Sequence, residues 1–155
     1  MNKLIHNISL VFVSVVMLFS VASCQLESPH NDKLDGYWHI EQIDSISKGI
    51  HVDKRESRVT WAVQARLLQI RDYDSDVRSI YVCHFVYEDQ TLTLTDAYYD
   101  DRTIGDTLIT DFTQIEPYGV RTIPVSYTIE QLSSERMILS DGTIRIYFRK
   151  IEIRQ

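Results

Sequence analysis

The sequence predicts an all-β fold, an antiparallel sheet of seven or eight strands with one short helix near residues 106–115. Two observations carry this. From Leu34 onward apolar residues recur with a period of two, the period of a strand with one buried face. Between the last two runs stands Asp141-Gly142, the dipeptide of a two-residue hairpin turn whose two positions both require positive φ.

In "LDGYWHIEQIDSI" the residues Leu34, Trp38, Ile40 and Ile46 fall on even positions, and Asp35, His39 and Glu41 on odd ones, so one face is apolar. Val59, Trp61, Val63, Ala65 and Leu67 alternate with Arg58, Thr60, Gln64 and Arg66. The switch to Leu68 and Ile70 reads as a bulge within one strand. Residues 79–87 are apolar on both faces, and Leu92 and Leu94 stand opposite Thr91, Thr93 and Thr95. Residues 125–132, 135–140 and 143–153 supply three more strands, and an eighth falls within 97–104 or 118–123. Leu108, Phe112 and Ile115 have helical spacing, with Asp106 or Thr107 as N-cap and Pro117 as terminator, so this helix is expected to plug or flank the sheet.

The N-terminus has a different character. Lys3 is followed by an apolar stretch from Leu10 to Val21 and by small residues up to Cys24, the layout of a secretory signal. The run is short of the ~20 apolar residues of a transmembrane helix. The sequence "VASC" resembles the lipobox of bacterial lipoproteins. That resemblance implies lipidation of Cys24, removal of residues 1–23, and attachment by more than one acyl chain, which stable anchoring requires. Residues 24–33, polar and interrupted by Pro29, are then the lipidated cysteine and a flexible tether of about 30 Å. Residues 34–155 form the domain, and about 130 residues remain in the mature chain, the size of one domain. The lipobox resemblance implies a lipid-anchored protein of the cell envelope, expected at the outer membrane, with the periplasmic and the exterior face both open; Gln25, rather than aspartate, after Cys24 argues against the inner-membrane retention rule of some bacteria.

The net charge is −6, and loss of Lys3 makes it one unit more negative. Nucleic acid and anionic lipid both need clustered Lys and Arg, so neither is expected as partner. Of the two cysteines, lipidation of Cys24 leaves Cys83 without a disulfide partner, and within "SIYVCHFVY" it reads as a buried small hydrophobe.

No catalytic constellation is present. Asp72, Asp74 and Asp76 have the opening spacing of a calcium loop, but Val77 stands where glycine is needed and Cys83 where glutamate is needed. A solvated turn whose carboxylates satisfy backbone donors is expected instead. Asp100 and Asp101 are adjacent in a loop, which does not place two carboxylates across one glycosidic bond. His30, His39, His51 and His84 lie at no metal-ligand spacing. The expectation is a non-enzyme with no metal and no cofactor.

"GYW" at Gly36, Tyr37 and Trp38, at the start of the first strand, resembles the G-x-W signature of lipocalins. With the helical "L…F…IEPYGV" segment and the closing "YTIEQLSSERMILSDGTIRIYFRK", the pattern is similar to the lipocalin-like domains of small bacterial lipoproteins. The resemblance implies an up-and-down barrel closed at one end by Gly36, Trp38 and a basic residue of the last strand. Strand parity puts Ile144, Ile146 and Phe148 inside and makes Lys150 that residue, with Arg149 pointing outward. A ligand would enter at the opposite end, lined by Ile46, Trp61, Tyr98, Tyr99 and Tyr118. Two functions stay open. The barrel binds a small apolar ligand or a protein partner through its open end, or it is filled by Trp61, Phe148 and either Tyr81 or Phe85 and docks onto an outer-membrane assembly.

Overall fold

The computed structural model describes residues 31, 33–75, 80–101, 103 and 105–152. The expected signal segment, Cys24 and Asp76 lie outside these residues. Within them the chain is an antiparallel meander of ten strands: β1 (Gly36–Ser45), β2 (Ile50–Asp53), β3 (Val59–Gln64), β4 (Leu67–Asp72), β5 (Ile80–Glu88), β6 (Thr91–Tyr99), β7 (Thr107–Leu108), β8 (Val125–Leu132), β9 (Arg136–Ser140) and β10 (Ile144–Ile151). Eight of them close into a barrel in the order β1-β3-β4-β5-β6-β8-β9-β10, sealed by pairing of β10 with β1. β2 pairs with β1 and β7 with β6, both outside the closed ring. Alternate side chains point inward, and a single core runs from Leu34 and Trp38 at one end to Ile115 and Val120 at the other.

Several local expectations are corrected. Residues 59–72 are not one bulged strand: Gln64 pairs with Leu67, and Ala65 and Arg66 form a tight turn between β3 and β4, with Ala65 at φ 56°. The bulge lies instead in β1, where the register against β10 shifts between Ile40 and Gln42. One extra residue flips the parity of the strand beyond it. Ile43 therefore packs against the core, while Ile46 is 45% exposed.

The segment 106–115 is not a helix. Thr107 and Leu108 pair with Tyr99 and Tyr98, and two short 3₁₀ turns come after them at Phe112–Gln114 and Glu116–Tyr118. The buried residues are Ile109 and Ile115, whereas Leu108 is 54% exposed, so no single helical face could have served. Asp111, rather than Asp106 or Thr107, caps the first turn by accepting from the Thr113 N–H, and Pro117 sits inside the second turn.

The hairpin at 141–142 is present with different chemistry. Only Gly142 takes a positive φ, and the Asp141 carboxylate accepts from the N–H groups of Thr143 and Ile144. The residues of the tether that adjoin the barrel are also tied down: Asn31 donates to the Asp35 carboxylate and to the carbonyl of Ala65.

Candidate functional site

At the lower end, where β1 starts, Leu34 is fully buried and its carbonyl accepts from Trp38 Nε1 at 2.8 Å. Lys150 lies opposite Trp38 in the β1–β10 ladder, and its Nζ sits 4.8 Å from the indole centroid while donating to the Lys33 carbonyl. Gly36 makes room for it: a Cβ there would stand 2.5 Å from Lys150 Cε, and φ is 133°. Arg149 points outward and pairs with Glu41 at 2.7 Å. This end is shut by an indole, an ammonium and the chain's own entry segment.

The interior above it is occupied. Trp61 pairs with Trp38 across β1 and β3, so it stands beside the lower plug and not at the opposite end. Its ring meets Phe148 at 5.0 Å and Tyr127, edge to face, at 6.1 Å. Trp38, Trp61, Leu68, Ile70, Leu92, Leu94, Tyr127, Met137, Leu139 and Ile146 have no accessible surface at all. Side chains this deeply buried pack closely against one another, as protein interiors do. Tyr81 and Phe85 are both buried with them. Among the described residues Trp61 Nε1 has no hydrogen-bond partner, and leaving a buried donor unpaired costs ~1–3 kcal/mol.

The upper end is covered by the strap formed by residues 105–124, which carries Ile109, Ile115 and Val120 into the core. Tyr118 donates to Asp72 Oδ2 at 2.7 Å and Tyr127 to the Gly119 carbonyl at 2.7 Å. Gly119, at φ 95°, passes where a Cβ would collide with Ile146. Arg121 ties the strap to Asp141 at 2.9 Å and also donates to Thr143 Oγ1. Burial and the bond to Asp72 push the Tyr118 phenol pKa up, and burial pushes Tyr127 up more strongly, so both stay protonated donors.

The five residues expected to line an open mouth are therefore dispersed. Tyr99 and Tyr118 do converge, each against Tyr81, at 5.4 and 6.0 Å, but as packing beneath the strap. Tyr98 stacks edge to face on His84, whose Nδ1 bonds Asp96 at 2.6 Å. Ile46 faces solvent and Trp61 is core. Sequence parity alone could not separate them, because the β1 bulge changes which face Ile46 takes and the Ala65–Arg66 turn splits the run that holds Trp61 into two strands.

Among the described residues, two grooves on the surface bear on recognition. One, of about 280 Å³, crosses the outer face of β8, β9, β10 and β1, where Gln131, Ile138, Tyr147 and Gln42 stand in one register row flanked by Arg55 and Arg136. Arg55 is held by Asp53, whose carboxyl it lowers to about 2. The other, of about 380 Å³, lies at the lower end beside Asn31, Arg66 and Tyr87.

Among the described residues no cluster of His, Cys, Asp and Glu could hold a metal ion. Cys83 is fully buried, and burial pushes its thiol up to about 12, so it is inert as a nucleophile. Asp72 accepts from the N–H groups of Asp74 and Ser75, as a solvated acidic turn should. No helix among the described residues is long and apolar enough to cross a membrane.

A closed eight-stranded antiparallel barrel behind a Gly-x-Trp strand start defines the lipocalin-like class, a fold that suggests a binding protein. The chain belongs to the lipocalin-like domain family, whose pattern matches residues 17–151. It is similar to a lipocalin-like protein from Bacteroides uniformis, with 16% identity over 77% of this chain and 99% of the other and a TM-score of 0.57. An uncharacterised protein from Bacteroides eggerthii (15% identity, 76% and 98% covered) and a protein from Burkholderia xenovorans (14%, 77% and 83% covered) each match with a TM-score of 0.49. No curated protein matches.

Proposed function

We propose that this protein is a lipid-anchored lipoprotein of the outer membrane whose barrel is filled, and that it works by docking its outer surface onto a protein partner rather than by carrying an apolar ligand. The observation that supports this reading is the interior itself: Trp61, Phe148 and Tyr127 occupy the place a ligand would take, and the strap covers the mouth. Side chains on the outer barrel wall, such as exposed Gln131 and half-buried Tyr147 and Gln42, are the surface left for recognition. The proposed role is a binding one, in keeping with the lipocalin-like fold.

The test of the docking reading is native mass spectrometry of protein purified from its own host, with intrinsic tryptophan fluorescence titrated with fatty acids, haem and sterols. The expected result is flat emission and no adduct beyond the anchor. A stoichiometric apolar adduct with shifted emission contradicts it. Anchoring at Cys24 rests on the "VASC" resemblance. Cys24→Ser is expected to move the protein from the membrane to the soluble fraction, since the acidic domain supplies no attachment of its own. A mutant that stays membrane-bound without detergent contradicts the anchor.

A further inference from the structure

Closing a barrel leaves its strands without edges, but β2 lies outside the closure. It pairs with β1 along Gln42–Ser45 and with no other described strand, and all four of its residues are exposed. Ile50 and Val52, which share one face of the hairpin, are 51% and 43% exposed, unusual for β-branched aliphatics on an edge.

The phase of the β1–β2 ladder says what this edge offers. Lys54 N–H donates to the Glu41 carbonyl, so Ile50, Val52 and Lys54 direct their backbone groups at β1. The N–H and C=O groups of His51 and Asp53 therefore point away from the barrel. An antiparallel partner that is a second copy, related by a twofold through Val52, meets this edge in register. His51 then stands opposite Asp53 of the second copy, and each such pair exchanges both backbone hydrogen bonds. Val52 faces Val52 of the second copy at the close, non-hydrogen-bonded position, with Ile50 on the diagonal.

The side chains agree with that register. His51 is already bonded to Asp44 at 2.8 Å and keeps 68% of its side chain exposed, while Arg55 holds Asp53 ionised. His51 would thus meet a carboxylate across the interface, and the Val52 pair with the Ile50 of each copy on its diagonal would leave water. We propose that β2 is a homodimerisation edge, with the strand Ile50–Asp53 adding to its counterpart so that one sheet runs through both barrels. This goes beyond the docking reading and does not depend on it.

The test is sedimentation of the full chain carrying Cys24→Ser, from micromolar to millimolar concentration. The weight-average mass is expected to rise toward twice that of one chain, as befits a short, weak interface. Val52→Lys, which sets two ammonium groups face to face on the twofold, is expected to abolish the rise. His51→Asp, which faces Asp53 with a second carboxylate, should do the same. Because these side chains are exposed, melting curves confirm that each variant folds. Amide exchange reads the register: protection of the His51 and Asp53 N–H groups should grow with concentration, while Ile50 and Val52 stay protected throughout. A chain monomeric across the whole range overturns the proposal and leaves the edge to a strand of another protein. A dimer indifferent to Val52→Lys overturns it as well.

Discussion

Gly36, Trp38 and Lys150 show how few side chains shut the lower end, and their costs should differ in kind. Trp38→Ala removes a fully buried indole and is expected to destabilise by about 3–5 kcal/mol. Lys150→Ala loses an exposed cation–π contact and is expected to cost only ~0.5–1 kcal/mol. Denaturant midpoints check both, and an unchanged midpoint for Trp38→Ala would show that the indole closes nothing. Asp141 carries a pH dependence. Burial opposes its charge, but donation from the Thr143 hydroxyl, the N–H groups of Ile144 and Thr143, and Arg121 outweighs it and lowers the pKa. A depressed folded-state pKa contributes stability above the ordinary value of 3.8, lost as pH falls through the folded value. Asp141→Asn should therefore cost about 1–2 kcal/mol at neutral pH, and the gap from the wild type should shrink in titrations at pH ~3.

At the scale of elements, the strands were legible and the joints were not. Alternation located β10, and β8 as far as Ile129, because the two faces keep their character there; beyond Ile129 the register of β8 against β9 shifts and Leu132 returns to the core side. Ala65 gave no turn signal, since alanine at φ 56° is held by the pairing of Gln64 with Leu67 rather than by its own preference. Asp89 and Gln90 likewise take φ 47° and 62° in the β5–β6 hairpin without a glycine to announce it. Ala65→Gly should relieve that strain and stabilise by roughly 0.5–1 kcal/mol, the relief exceeding the added freedom of the unfolded chain. A loss of stability there would mean the turn is not strained. The strap misled because Leu108, Phe112 and Ile115 have helical spacing by coincidence, while the burial that matters belongs to Ile109, Ile115 and Val120. Its hold on the barrel is polar at the rim: Tyr127→Phe should leave the Gly119 carbonyl unpaired and cost about 1–2 kcal/mol by thermal melting, with packing otherwise intact.

For the whole molecule, the sequence could place aromatics but not say whether they line a cavity or fill it. That depends on how eight strands bring Trp61, Tyr127 and Phe148 to one level, which is a matter of register across β1, β3, β8 and β10. The central claim is that this level is solid. It is tested most directly by titrating indole against the melting temperature of the wild type and of Trp61→Ala. A protein whose native state binds a ligand melts higher as the ligand is added, and an apolar cavity cut into a dry core binds apolar molecules of matching size. The account predicts that indole leaves the wild type unchanged and raises the melting temperature of Trp61→Ala. Stabilisation of the wild type by indole would contradict it, because it would mean that the barrel already has room for a guest.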